Sequence, residues 1–170
     1  KTVLTVLDRS SAAISLNPSF EDENDKWPSE WSTWVKWGVG TKTISPQAAH
    51  SGKQGVLCRG MRRGGPHQRL EVKPGRYAAL LFYRVPQQPK GNATITLSMT
   101  PLGPNGENLP EISTTARAAA CQWTRLATAG EIPAEIRGKS VTGVRLIAVV
   151  DGFEDGEEIH LDDLAMFRID

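Results

Sequence analysis

The stretch "LEVKPGRYAALLFYRV", residues 70–85, sets the fold class. A short run ends at the turn signal "KPGR", and the run that follows it is apolar at nearly every position. Gly and Pro mark tight turns, and a short run that is apolar on both faces is typical of a covered β-strand. The stretch therefore predicts a strand, a turn and a second strand that lies inside a sheet.

The rest of the chain repeats this pattern of short runs and turns. Alternating runs such as "NATITLSMT" and "TGVRLIAVV" are separated by turn signals such as "SGKQG", "PKGN" and "GPNGEN". In a strand this alternation places Ile95, Leu97 and Met99 on one face. No window shows a convincing helical period over about twelve residues. These observations predict an all-β sandwich or barrel.

The length of the chain indicates how many domains it forms, and its net charge indicates which classes of partner to expect. The chain has 170 residues, and we assign residues 13–170 to one domain and residues 1–12 to a linker or an extra edge strand. The net charge of +1 gives no basic excess for nucleic acid, and no apolar run reaches the roughly 18 residues of a membrane span. We expect a monomer that binds neither nucleic acid nor membrane. Because the chain opens at Lys1, we expect a cut from a longer polypeptide or a processed end.

Two cysteines, Cys58 and Cys121, leave the redox state open. No CxxC or Cys/His spacing is present, which argues against a zinc site. Both residues lie in strand-like segments. One disulfide and two buried thiols are both compatible with this placement.

Three landmarks carry a resemblance to a known family. "LNPSFEDE" opens the domain, "AHSGKQGVLCRG" precedes the stretch quoted first, and "EEIHLDDLAMFRID" closes the chain. In this order and spacing they resemble the carbohydrate-binding modules of the family four, nine and twenty-two group. The resemblance covers residues 16–170. It implies a jelly-roll β-sandwich of two antiparallel sheets, with about eight to ten strands.

The resemblance also implies a function. Modules of this group are non-catalytic appendages that direct an attached enzyme to a polysaccharide. We therefore expect a polysaccharide or oligosaccharide ligand, and a covalently linked catalytic domain such as a glycoside hydrolase in the full-length protein. The expected location is secreted, cell-surface or periplasmic.

A structural calcium ion follows from the same resemblance. In similar modules calcium ties the first strand to the last, and the motif match gives as ligands the carboxylates of Glu21 and Asp162 and backbone carbonyls near Ser51 and Lys53. Calcium prefers hard oxygen ligands of this kind. The alternative is that both carboxylates are solvated surface groups.

Four of the five tryptophans stand within residues 27–37 and follow an acidic run. In "WVKWGVG", alternation puts Trp37 on the side of Val35, which predicts a core position for it. Trp27, Trp31 and Trp34 are the candidate ligand platform, because exposed indole rings stack on the C–H face of a sugar. The alternative is a small hydrophobic cluster that pins the loop.

Other residues owe their assignment to the resemblance. It places Arg84 and Arg145 on strands that line the binding groove in similar modules, and His67 and Gln68 near a common binding-face position. It also implies a core position for Trp123. Arg donates to paired hydroxyls or to a uronic acid or sulfate group.

Two further function classes stay open. A jelly-roll glycoside hydrolase or lyase is disfavoured, because no carboxylate pair stands at close strand spacing and no serine lies in a GxSxG motif. A spacer or protein-adhesion β-sandwich with a structural calcium needs no exposed tryptophan. Because the sequence lacks these catalytic patterns, we predict that the module is not an enzyme.

Overall fold

The computed structural model describes residues 13–25, 27–119 and 121–170. None of these residues forms a helix long and apolar enough to cross a membrane. Two short 3₁₀ turns, Lys36–Gly38 and Pro46–Ala48, interrupt the strands. In chain order the strands are β1 (Glu23–Asn24), β2 (Trp27–Pro28), β3 (Ser32–Val35), β4 (Thr41–Ser45), β5 (Gly55–Arg59), β6 (Arg63–Leu70), β7 (Gly75–Arg84), β8 (Thr94–Leu102), β9 (Ile112–Arg117), β10 (Thr124–Ile132), β11 (Glu135–Ile136), β12 (Lys139–Ser140), β13 (Gly143–Asp151) and β14 (Glu158–Arg168).

Ten of these strands form two five-stranded sheets. Sheet I has the order β10-β7-β14-β5-β4, and sheet II has the order β3-β6-β13-β8-β9. Every pairing within them is antiparallel. The predicted all-β jelly-roll β-sandwich of two antiparallel sheets is confirmed.

The core lies between the two sheets and follows the alternation of the strands. Ile95, Leu97 and Met99 of β8 are fully buried, as the sequence predicts. β7 lies between β10 and β14, and the imidazole of His50 covers its outer face by stacking on Phe82 with 3.9 Å between ring centroids. The central, doubly covered position predicted for this strand is confirmed.

The segment before β3 packs against the last strand. The amide of Ile14 donates to the carbonyl of Met166 at 2.8 Å, and the amide of Leu164 donates to the carbonyl of Pro18 at 2.9 Å. Phe20, which belongs to this segment, is fully buried. The segment therefore closes one edge of the sandwich. The linker or extra strand predicted for residues 1–12 lies outside the described residues.

The core positions predicted for Trp37 and Trp123 are wrong. Strand β3 ends at Val35, and Trp37 then adopts a φ of 59°, which breaks the alternation and leaves its side chain 71% exposed. The ammonium of Lys36 lies 4.4 Å from the centroid of that ring. Trp123 is half-buried on the outside of sheet I, where its ring centroid lies 5.2 Å from that of His50.

The two cysteines are free thiols in different surroundings. Cys58 is buried in β5, and burial raises the pKa of its thiol to about 12. Cys121 is exposed. The disulfide that the sequence leaves open is therefore not formed. The alternative of two buried thiols holds for Cys58 but not for Cys121, which is exposed.

Candidate functional site

The outer face of sheet II carries an open groove of about 490 Å³. Its apolar lining comes from Trp34 on the edge strand β3 and from Ile147 and Val149 on the central strand β13. The two β13 residues point outward because their neighbours, such as Leu146, fill the core. Trp34 pairs in register with Gly65, so no side chain stands directly opposite the ring. The groove thus has an aromatic wall and an apolar floor.

Polar groups border this apolar strip and are held by hydrogen bonds. The Ser98 hydroxyl donates to Glu111 Oε2 at 2.8 Å and lies 2.9 Å from the Thr100 hydroxyl. Arg145 Nη1 donates to Asn108 Oδ1 at 2.9 Å. Carboxylate, amide and guanidinium groups fixed in this way offer both donors and acceptors to a hydroxylated ligand.

His67 contributes a neutral imidazole to the groove. It is half-buried on β6 and pairs in register with Ile147. Burial lowers the pKa of its side chain, and the positive charge of Arg145 lowers it further. Its Nδ1 atom is buried and has no hydrogen-bond partner among the described residues. A neutral imidazole has one donor and one acceptor nitrogen, and because Nδ1 is closed off from solvent, Nε2 is the ring nitrogen that can bond to a ligand in the groove.

Of the predicted tryptophan platform, only Trp34 lines this groove. Trp31 is 5% exposed, its Nε1 donates to the carbonyl of Asn17 at 2.8 Å, and its ring lies 5.1 Å from that of Phe20. Trp27 is half-buried and packs against the core, and its Nε1 donates to the carbonyl of Trp31 at 3.0 Å. These contacts match the alternative interpretation, in which the rings pin the loop.

Gln68 is buried inside the sandwich and lies away from the groove. It is 4% exposed, and its side chain bonds to both backbone groups of Leu16 and to the carbonyl of Glu30. It faces inward because it stands next to His67 on the same strand, and successive side chains point to opposite faces. Its role here is to hold the loop, so we leave it out of the candidate groove.

Arg84 lies on the other side of the molecule. It borders a separate shallow pocket of about 440 Å³ on the outer face of sheet I. Its Nη2 donates to the carbonyl of Gln47 at 2.9 Å and lies 3.1 Å from His160 Nδ1. Its guanidinium carbon is 5.2 Å from the centroid of Trp123. The structure therefore brings Trp34, His67 and Arg145 together and places Arg84 elsewhere.

The predicted calcium ligands meet at one turn. Asp162 is fully buried, and its Oδ2 accepts from the backbone amides of His50 at 2.7 Å and Ser51 at 2.9 Å. Its Oδ1 accepts from the amide of Asp163 at 2.8 Å. Burial raises the pKa of Asp162 to about 7, because the charged carboxylate has lost its water.

Glu21 reaches the same turn from the start of the domain. Its Oε1 accepts from the backbone amides of Lys53 at 2.8 Å and Gln54 at 3.2 Å, and its Oε2 accepts no hydrogen bond from the described residues. Gly52 leaves room for this carboxylate, because a Cβ atom at residue 52 would clash with the carboxylate of Glu21. Two carboxylates far apart in sequence are thus gathered on residues 50–54.

These residues fit a calcium ion in the chemistry of their oxygens. A buried carboxylate with a raised pKa and a second carboxylate with a free oxygen favour a cation. No group of three or more His, Cys, Asp or Glu side chains in the described part of the chain is placed to hold a metal. An ion here therefore needs backbone carbonyl oxygens as well, and Ser51 and Lys53 stand in this turn.

Several groove residues escaped the sequence analysis. Ile147 and Val149 had a signal, since "RLIAVV" is apolar on the face that carries Arg145 as well as on the core face. An outward apolar strip on a half-covered sheet indicates a binding surface. Asn108 and Glu111 had no signal, because they come from the connection between β8 and β9 and reach the groove through the tertiary fold.

Comparison with known proteins identifies the fold. No protein-family model and no curated protein sequence matches the chain. Among solved structures, TmCBM61 in complex with β-1,4-galactotriose is 19% identical with a TM-score of 0.65, and the match covers 94% of this chain and 100% of that one. The CBM22-1 xylan-binding domain of Paenibacillus barcinonensis Xyn10C is 13% identical with a TM-score of 0.62, over 89% of this chain and 91% of that one.

The same fold also occurs inside longer chains. The CBM22-1–GH10 modules of Clostridium thermocellum xylanase 10B, complexed with xylohexaose, are 16% identical with a TM-score of 0.58. That match covers 95% of this chain and 28% of the longer one. The resemblance stated from the sequence is confirmed as a likeness of fold, and the chain has the β-sandwich fold of carbohydrate-binding modules.

Proposed function

We propose that this chain is a non-catalytic carbohydrate-binding module whose ligand lies in the groove of sheet II. One observation carries the proposal: Trp34 stands beside the apolar strip of Ile147 and Val149, with fixed polar groups at the margin. Similar solved structures are described as complexes with β-1,4-galactotriose and xylohexaose. The ligand class is a polysaccharide or oligosaccharide.

The chemistry of the groove suits a sugar ring. The C–H face of a pyranose is apolar and packs on an indole, while its equatorial hydroxyls project toward the margin. There the Glu111 carboxylate accepts, the Arg145 guanidinium donates, and neutral His67 does either. Stacking supplies contact area, and the hydrogen bonds select the orientation of the hydroxyls.

The same lining supports binding over hydrolysis. A glycosidase places two carboxylates about 5–9.5 Å apart across the scissile bond. Among the described residues Glu111 is the one carboxylate that lines the groove, and the nearby Asp151 is paired with Arg63. A covalently linked catalytic domain supplies the chemistry in this proposal, at a secreted, cell-surface or periplasmic location where polysaccharides are met.

A structural calcium ion at residues 50–54 belongs to the same proposal. Glu21 and Asp162 supply carboxylate oxygens, and Ser51 and Lys53 supply backbone carbonyls. When bound, calcium offsets the cost of burying Asp162 and ties the start of the domain to β14. The ion is structural, because the groove lies on the other sheet.

Affinity electrophoresis against soluble polysaccharides tests the function. The panel contains β-glucans, xylans, galactans, mannans and acidic polymers, and wild type is compared with Trp34→Ala. Retardation of wild type by at least one polymer, lost in the variant, is the expected result. If no polymer retards the wild-type protein, the spacer or adhesion function replaces this one.

A further inference from the structure

Two arginines face each other across neighbouring strands beside the groove. Arg69 of β6 is the register partner of Arg145 of β13. Both point outward, because Leu70 and Leu146 on the same strands are buried in the core. Directly opposed residues have Cβ atoms about 4.5–5.5 Å apart, and like charges in this relation destabilise a sheet. The fold therefore keeps two positive charges at a position where they repel each other.

No carboxylate of the described residues neutralises this pair. Neither guanidinium lies within ion-pair distance of an Asp or Glu in residues 13–25, 27–119 or 121–170. Arg145 contacts the amide oxygen of Asn108, which carries no net charge. By contrast, Arg63 on the same face is paired with Asp151. The positive charge at Arg69 and Arg145 is thus a local excess.

Glu111, the carboxylate that lines the groove, forms no ion pair with either arginine. Glu111 accepts hydrogen bonds from the hydroxyls of Ser98 at 2.8 Å and Ser113 at 3.3 Å. The charge of Arg145 is felt within the groove, since it helps to lower the pKa of His67 after the larger effect of burial. Hydroxyl donors leave the negative charge of Glu111 in place, so Arg69, Arg145 and Glu111 together give the margin one net positive charge beside the aromatic wall.

We propose that the Arg69–Arg145 pair binds an anionic substituent of the polysaccharide that lies in the groove. The inference rests on the proposed function and narrows its ligand to acidic polymers. A guanidinium donates two parallel N–H bonds to a carboxylate or a sulfate, and two guanidinium groups together match one such anion. The bound anion also removes the repulsion between the arginines. A uronic acid carboxylate and a sulfate ester share this chemistry.

Two matched pairs of polymers test the inference and distinguish a carboxylate ligand from a sulfate ligand. Polygalacturonate is compared with its fully methyl-esterified form, and κ-carrageenan with its chemically desulfated form, by affinity electrophoresis and titration calorimetry. The proteins are wild type, Arg69→Gln, Arg145→Gln and the control Arg76→Gln. Arg76 is an exposed arginine on β7 of the other sheet, so its loss changes the net charge equally.

Wild type is expected to bind the acidic member of at least one pair about tenfold or more tightly than the neutral member, as for one charge-assisted contact. Arg69→Gln and Arg145→Gln remove most of this preference, and Arg76→Gln keeps it. Added salt weakens acidic binding more than neutral binding. The polymer pair that shows the preference identifies the carboxylate or the sulfate as the group that the arginines bind.

Three outcomes overturn the inference in distinguishable ways. Equal, Trp34-dependent binding of acidic and neutral polymers refutes the inference and leaves the proposed function in place. A preference that survives both Arg69→Gln and Arg145→Gln places the anion site elsewhere and also refutes it. Absence of binding to every polymer refutes the proposed function and this inference together. Melting temperatures show that each variant is folded, and Arg69 is exposed, so its loss leaves the core intact.

Discussion

Replacing Trp34 by alanine is the sharpest test of the groove. The side chain is half-buried on an edge strand, its in-register partner is Gly65, and it lines the groove with Ile147 and Val149. The substitution removes the aromatic wall and leaves the polar margin in place. We therefore expect a folded protein that binds polysaccharide weakly.

The size of the effect follows from the area of the ring. An indole that buries about 80 Å² against a sugar contributes about 2 kcal/mol at roughly 25 cal/mol per Å². This free energy corresponds to about a thirtyfold loss of affinity. Because Trp34 is only half-buried in the free protein, the expected loss of folding stability is about 1 kcal/mol or less.

Titration calorimetry with the polymer that retards the wild-type protein measures the loss. Trp37→Ala is the matched control, since its ring is 71% exposed and does not line the groove. That control is expected to keep its affinity within about twofold and its stability within about 0.5 kcal/mol. Unchanged binding by a folded Trp34→Ala, or a larger loss in Trp37→Ala, refutes the placement of the ligand.

Three further predictions concern stability. Trp31→Ala is expected to cost about 3–5 kcal/mol in urea unfolding, because the ring is 5% exposed; a loss below about 1 kcal/mol contradicts its structural role. A chelator is expected to lower the melting temperature of wild type but not of Glu21→Gln, since the proposed calcium ion binds only the folded state; an unchanged melting temperature of wild type contradicts the site. Folding lowers the pKa of His67, so the unfolded chain binds a proton on this imidazole more tightly than the folded chain does. The free energy of unfolding therefore falls as the pH drops through about 6.5. In urea unfolding at about pH 7.5 and about pH 5.5, His67→Gln is expected to lose less stability at the lower pH than wild type does. An equal loss of stability in the two proteins contradicts this role of His67.

The all-β class was readable from the sequence because its information is local, whereas the jelly-roll arrangement came from the resemblance of the three landmarks. Turn residues separate the runs, and alternation within each run sets which side chains enter the core, as for Ile95 and Leu97 of β8. Arg145 follows the same alternation, since it points outward on β13 between the buried side chains of Val144 and Leu146. These inferences need no knowledge of which strands are neighbours.

The site was only partly readable because it depends on neighbours. Alternation fails where a strand stops, and Trp37 lies in a 3₁₀ turn with a positive φ that turns its side chain outward. Arg84 and Arg145 look alike in sequence, yet β7 and β13 belong to different sheets. The burial of Trp31 depends on Asn17 and Phe20, which precede it by more than ten residues. Strand order and loop packing decided these positions.

The pairing of the first segment with the last strand has a consequence for engineering. The amide of Ile14 bonds to the carbonyl of Met166, so the two ends of the described domain run side by side. A short peptide can join such ends, and new ends can be opened in the exposed β11–β12 hairpin, where Gly138 has free space around it. A circularly permuted chain of this kind changes the order in which the strands are synthesised while the groove on sheet II keeps its residues.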